Sequence, residues 1–134
     1  MALIENDVIF AFLDKFDAKF RAADRVFNKI RSGSLTVSMS SVALVEMELI
    51  YRSEGKEDAL LKDMAALAAI PNATFEPLTP DVVLSAVFLR QTFPLGFFDS
   101  HYAATALKVD GTIISFDRAY DNVKGLKRID PASI

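Results

Sequence analysis

The sequence predicts an α/β protein in three layers, a parallel sheet with helices on both faces. Short apolar runs alternate with longer segments of helical periodicity, the pattern of repeated βα units. The connections between successive runs are long enough for helical crossovers, which parallel neighbours require. Acidic residues stand directly behind two of the runs, Glu5 after Ala2-Leu3-Ile4 and Asp117 after Thr112 to Phe116. Open α/β sheets bind their ligands beyond such strand ends, near the point where strand order reverses.

Ala2-Leu3-Ile4 reads as a strand buried on both faces. Asn6 and Asp7 then cap a helix running through Phe12 and Leu13. A second helix follows, with Phe16, Phe20, Ala23, Phe27 and Ile30 on one stripe and Lys15, Lys19, Arg21, Arg25, Lys29 and Arg31 off it. Leu35-Thr36-Val37 reads as the second strand, and Ser38 to Ser41 supply caps for a helix from about Ser41 to Tyr51. Within that helix Glu46 has Val42, Ala43, Leu49 and Ile50 as its three- and four-residue neighbours, so it is aimed inward. Glu48 has Arg52 four residues on and reads as a solvated surface pair. An inward carboxylate needs a cation, a donor or a proton.

Glu54-Gly55-Lys56 breaks the helix, and Ala59 to Ile70 makes another. Thr74-Phe75-Glu76 is a third strand. Thr79-Pro80-Asp81 opens a helix with proline at its first position, and this helix carries Val83, Leu84, Val87 and Phe88. Asp99 reads as the start of an alanine-rich helix, His101 to Leu107. Thr112 to Phe116 is a strand ending at Asp117, with Asp121 one helical turn beyond. The last strand lies near Lys127-Arg128-Ile129.

Composition narrows the classes. The chain has 134 residues, 51% hydrophobic and 25% charged, which excludes disorder and suits one domain spanning 1–134. It has no cysteine, which removes disulfides and thiolate metal sites and fits a reducing, cytoplasmic setting. The start of the chain has no basic lead, so no signal peptide is expected, and no apolar run approaches membrane-spanning length. A net charge of −3 argues against a broad basic face for duplex nucleic acid. It leaves room for an acidic metal pocket flanked by local lysines and arginines.

Taken singly, each acid has a structural use. Asp99 reads as an N-cap, Asp117 and Asp121 as a solvated turn, Glu5 as an electrostatic cap, and Glu46 as half of a buried pair with an arginine. Together, Glu5, Glu46, Asp99 and Asp117 resemble the acidic quartet of PIN-domain nucleases. Ile4 to Ile9 resembles the family's first motif, and Ser41 to Glu46 its second. Asp99 to Leu107 resembles the third, and Ile113 to Asp121 with Gly125-Leu126 and Ile129-Asp130-Pro131 the fourth. The first acid in the family is usually aspartate; here the matching residue is Glu5, one methylene longer, with Asp7 close by.

The resemblance implies a five-stranded parallel sheet and a Mg2+ or Mn2+ ion held by the quartet. Asp121 and Asp7 are then accessory ligands, and Asn6 and Ser115 orient the others by hydrogen bonds. It implies cleavage of single-stranded RNA by metal-activated water, with Arg118, Lys15 and Arg21 as candidate phosphate contacts. It further implies the toxin role of VapC-type toxin–antitoxin pairs, a small antitoxin as partner, and a homodimer through the apolar helices after Ala59 or Thr79. His101 reads as a packing residue. Three other functions stay open at this level: a catalytically silent binding or assembly module of the same fold, a housekeeping RNA-processing nuclease, and acid-site phosphotransfer, which needs a strand-end lysine.

Overall fold

The computed structural model describes residues 1–134. Five strands, β1 (Ala2–Ile4), β2 (Val37–Ser40), β3 (Ala73–Glu76), β4 (Thr112–Ile114) and β5 (Lys127–Ile129), form one sheet in the order β3-β2-β1-β4-β5. Every neighbouring pair is parallel, the architecture that the alternating pattern predicts. Helices α1 (Asn6–Leu13) and α2 (Phe20–Arg31) connect β1 to β2. Helices α3 (Val42–Ser53) and α4 (Glu57–Ala68) lead to β3, and α5 (Pro80–Thr92) and α6 (Phe97–Val109) lead to β4. No single helix is long and apolar enough to cross a membrane.

Side chains alternate across the sheet, and both faces are covered, which is why the strands read as unbroken apolar runs. Ala2, Ile4, Val37, Met39 and Ile114 pack against α1 and α2 through Val8, Ile9, Val26, Phe27 and Ile30. Leu3 and Ile113 face the other way, onto Val82 and Ala86 of α5 and Tyr102, Ala103 and Ala106 of α6. Residues Ser100 to Ala106 of α6 are all buried, because alanine lets the helix approach both the sheet and α5. Their polar atoms are met locally: Ser100 Oγ donates to the Phe97 carbonyl at 2.7 Å, and Thr105 to that of His101 at 2.8 Å. His101 Nδ1 lies 2.7 Å from the Phe97 carbonyl, the packing role expected of it.

Four local expectations change. Helix α2 begins at Phe20, and Phe16 is 98% exposed. Asp14 and Asp17 accept the Phe16 and Lys19 amides at 3.0 and 2.7 Å, so these side chains capture the backbone and hold the segment in turns. Strand β2 runs Val37–Ser40, so Ser38 and Ser40 are strand residues; Ser40 Oγ accepts the Val42 amide at 3.1 Å from the strand's end. Glu48 is exposed but forms no ion pair with Arg52. On α5 the buried residues are Val82, Ala86 and Leu89, whereas Leu84 and Phe88 are 71% and 63% exposed.

The order of strands reverses between β1 and β4, which are neighbours in space but far apart in sequence. Their carboxyl ends therefore open on a crevice that no direct connection crosses. The turn into β4 depends on Gly111, at φ +77°, where an added Cβ would lie 3.2 Å from the Gly125 carbonyl oxygen.

Candidate metal centre

Glu5 stands at the first side of the crevice. Its amide donates to the Ile114 carbonyl at 3.1 Å, extending the β1–β4 ladder by one residue. Its side chain then turns back as the N-cap of α1, accepting the Asp7 amide at 3.2 Å on one oxygen and the Ser115 hydroxyl at 3.1 Å on the other. Only 5% of the residue is exposed. Burial, followed by the negative charges of Asp7, Asp99 and Glu46, pushes its pKa well above the ordinary carboxylate range.

Asp7 ties α1 to the end of β4. One of its oxygens accepts both the Ser115 hydroxyl and the Phe116 amide at 2.8 Å; the other is buried without a partner. Ser115 Oγ also accepts the Asp117 amide at 3.0 Å. A single hydroxyl proton cannot serve Glu5 and Asp7 at once, so one carboxylate always lacks that donor.

Glu46 reaches the crevice from α3. Its Oε1 accepts the Asn6 amide at 2.9 Å and the Tyr102 hydroxyl at 2.7 Å. The expected inward aim is correct, but its partners are an amide and a phenol, with no arginine. Asp99 enters from α6. Gly96 occupies the cap position of that helix and Asp99 lies inside the first turn, so the N-cap reading of Asp99 is superseded. Burial, then Asp117 and Glu46, raises the Asp99 pKa; the Tyr120 hydroxyl, close by but short of a full hydrogen bond, and the Gly96 amide oppose this. Asp117 is exposed and caps the short 3-10 helix Arg118–Asn122 through the Ala119 amide at 2.9 Å.

Asp121 is engaged elsewhere. Its two oxygens meet Arg128 Nε and Nη2 at 2.9 and 3.3 Å, and Arg128 also reaches the Ser115 carbonyl at 2.9 Å. Arg118 is exposed directly behind Asp117, and Arg21 is exposed on α2. Lys15 lines a separate groove of about 680 Å³ with Phe10, Phe16, Tyr51 and Asp63. A larger groove of about 840 Å³ lies between α5 and α6. Neither groove contains any of the four principal acids.

Three residues with a clear place in the site were not singled out from the sequence. Tyr102 and Tyr120 are fully buried beneath the carboxylates, where apolar periodicity alone makes them core residues. Lys19 sits 4.7 Å over the ring of Phe116, the residue before Asp117; a basic cluster was legible, but not which of its members meets the segment after β4.

The crevice thus gathers carboxylates from β1, α1, α3, α6 and the end of β4, all hard oxygen donors, and no lysine or arginine is paired with Glu5, Asp7, Glu46, Asp99 or Asp117. No three of these side chains close tightly round one point. They are spread over hydrogen-bond donors instead, and Asn6 Oδ1, Asp7 Oδ1 and the Tyr120 hydroxyl remain buried without partners. Oxygen ligands, surplus negative charge and unmet buried polar atoms fit a hard divalent cation such as Mg2+ or Mn2+. Phosphotransfer needs a strand-end lysine, and no lysine is paired with any of these acids.

Comparison with known proteins agrees with this fold. The PIN domain family model matches residues 2–126, and the chain belongs to that family. Three solved structures share the fold. A toxin–antitoxin complex from Klebsiella pneumoniae matches with TM-score 0.69 and 17% identity over 98% of each chain. VapBC2 from Rickettsia felis, bound to a DNA fragment from its promoter, matches with TM-score 0.76 and 11% identity over 96% of each. Mycobacterium tuberculosis VapC20, described as a sarcin–ricin loop cleaving toxin, gives TM-score 0.68 and 18% identity over 88% of this chain and 91% of its own. No curated protein sequence gives a match.

Proposed function

We propose that the protein is a Mg2+- or Mn2+-dependent endoribonuclease of single-stranded RNA, acting in the cytoplasm as the toxin of a toxin–antitoxin pair. The observation that carries the nuclease reading is the buried Glu5 carboxylate, set among Asp7, Asp99 and Glu46 with no cationic side chain to offset it. The PIN family is one of nucleases; of the structural relatives above, one is described as a toxin–antitoxin complex and one as a sarcin–ricin loop cleaving toxin, which supports the rest.

Glu5, Glu46, Asp99 and Asp117 are the residues that would hold the ion, directly or through water. Asp7 is placed for an outer contact, and Asn6 and Ser115 orient Glu46 and the Glu5–Asp7 pair. When bound, a divalent ion would offset the carboxylate repulsion and supply Lewis-acid activation of water at a scissile phosphate, with a 5′-phosphate as the expected product end. Arg118, exposed and next to Asp117 in sequence, and Lys19, over the Phe116 ring, are our candidates for holding RNA phosphates. Asp121 stays with Arg128. An antitoxin segment would cover this acidic crevice, and the exposed apolar face of α5 at Leu84 and Phe88 is the contact proposed for a homodimer.

The test is incubation of single-stranded RNA with the protein in Mg2+, in Mn2+ and in chelator, beside Asp99→Asn. Cleavage should require the ion and fall by more than about 100-fold in Asp99→Asn, the upper end for loss of an outer partner of a metal ligand. Cleavage that persists in chelator or in Asp99→Asn overturns the proposal. A folded protein that cleaves nothing under any condition replaces it with the silent assembly module.

A further inference from the structure

We infer that Tyr102 and Tyr120 are positioning residues of this pocket: Tyr102 fixes which oxygen of Glu46 faces the ion, and Tyr120 holds a hydroxyl in reserve for the ion-loaded site. The inference rests on the metal reading above and deepens it.

The first half follows from an asymmetry at Glu46. The Tyr102 hydroxyl donates to Oε1 at 2.7 Å, and the Asn6 amide nitrogen reaches the same Oε1 at 2.9 Å. That nitrogen also meets the Tyr102 oxygen and the Ala43 carbonyl, each at 3.0 Å. A closed triangle of two donors and one oxygen results, braced on the α3 backbone. Oε2 receives no hydrogen bond, so the carboxylate is held by one oxygen and offers the other. Tyr102 is completely buried, and its phenol donates to Glu46. Phenylalanine would fill the same space without orienting anything.

The second half follows from Tyr120. It too is completely buried, yet its hydroxyl completes no hydrogen bond and only approaches Asp99, whose carboxyl it steadies. The charges around it are Glu5, Asp99 and Asp7. A buried hydroxyl left unmet is costly, and phenylalanine would avoid the cost with the same ring. The hydroxyl has a use if a partner arrives when the carboxylates take up an ion, either Asp99 rearranged or water around the ion. Asn6 Oδ1 is likewise buried without a partner.

The chain has three tyrosines and no tryptophan, which makes tyrosine-sensitised Tb3+ luminescence a selective probe. Tyr51 is the control, since it packs in the core on the other face of the sheet, hydrogen-bonded to Asp63. Tb3+ added to the metal-free protein should emit on tyrosine excitation, and Mn2+ should displace it. Tyr51→Phe should leave that emission intact, while Tyr102→Phe and Tyr120→Phe each reduce it. Mn2+ affinity should fall about 10- to 100-fold in Tyr102→Phe, as for other outer partners of metal ligands. Its cleavage should recover in excess Mn2+ with KM for RNA unchanged. Tyr120→Phe should melt at or above the wild-type temperature without metal and gain less from saturating Mn2+. This variant keeps the test open if Tyr102→Phe does not fold.

Wild-type Mn2+ affinity in both variants, or a lower metal-free Tm for Tyr120→Phe, overturns the inference. If Asp99→Asn loses Mn2+ while both tyrosine variants keep it, only this inference fails. If the wild-type protein binds neither Mn2+ nor Tb3+, the metal reading itself fails.

Discussion

Replacing Glu5 by glutamine removes one charge from the most buried carboxylate of the crevice while keeping its shape. The amide oxygen can still accept the Asp7 amide at 3.2 Å, and the new NH2 can donate to Ser115 Oγ, 3.1 Å away, once the Ser115 proton turns to Asp7 at 2.8 Å. No hydrogen bond need be lost. Glu5 and Asp7 share contact with that one hydroxyl, so their nearest oxygens lie within about 6 Å, and at an effective dielectric of about 20 two full charges there repel by about 3 kcal/mol or more. Linkage sets a ceiling: a carboxyl with an unfolded value near 4.5 can cost no more than about 3 kcal/mol at pH 7, since protonation then intervenes. Metal-free Glu5→Gln should therefore be more stable than wild type by about 2 to 3 kcal/mol at pH 7, a Tm rise of roughly 10 °C for a chain of this length.

The sign follows from the raised Glu5 pKa. Below the unfolded value both states bind the proton and its stabilisation is fully present; as pH rises towards the folded value, the unfolded state alone releases the proton and stability is lost. Thermal melts in chelator at pH 4.5 to 7.5 should show the variant's advantage growing with pH and nearly gone at pH 4.5. Saturating Mg2+ should shrink or reverse it, since the ion then offsets the charge the variant lacks. A Glu5→Gln protein no more stable than wild type at pH 7, or equally advantaged at pH 4.5, refutes the reasoning.

Other outcomes follow from the same structure. Asp121→Asn should leave Mn2+ affinity within twofold, because Asp121 is held by Arg128, and should lower stability by about 1 kcal/mol, since the Asp121 side of the pair is exposed; calorimetry and thermal melts read both. Gly111→Ala should lose about 1 to 2 kcal/mol or more in urea denaturation, since it forces a Cβ into a left-handed residue 3.2 Å from the Gly125 carbonyl. Arg118→Ala should raise KM for RNA with Mn2+ affinity unchanged, because Arg118 is exposed beside Asp117 and bonds to none of the acids.

Local pattern was enough to expose the frame of the site. Apolar runs buried on both faces gave β1 and β4, so the acids behind them had to lie at carboxyl ends of a parallel sheet. The apolar neighbours of Glu46 gave its inward aim. What pattern could not give was the identity of long-range partners. Glu46 meets Asn6 and Tyr102, forty and fifty-six residues away, and no spacing rule favours these over an arginine. The tyrosines were hidden for the same reason, since a phenol in an apolar stripe reads as core until its hydroxyl is placed. Phe16 failed oppositely: its helical spacing from Phe20 was real, but two aspartates captured the intervening backbone. Asp121 has the spacing to join Asp117, yet Arg128 from β5 claims it, a contact set by strand order.

Direct titration of the metal-free protein with Mn2+, followed by electron paramagnetic resonance, tests the central claim that these carboxylates form a cation site. Wild-type protein should take up Mn2+ saturably, Mg2+ should compete for it, and uptake should be lost in Asp99→Asn and Glu46→Gln that melt at or above the wild-type temperature. Uptake unchanged in both variants, or no uptake by the folded wild-type protein, would contradict the account.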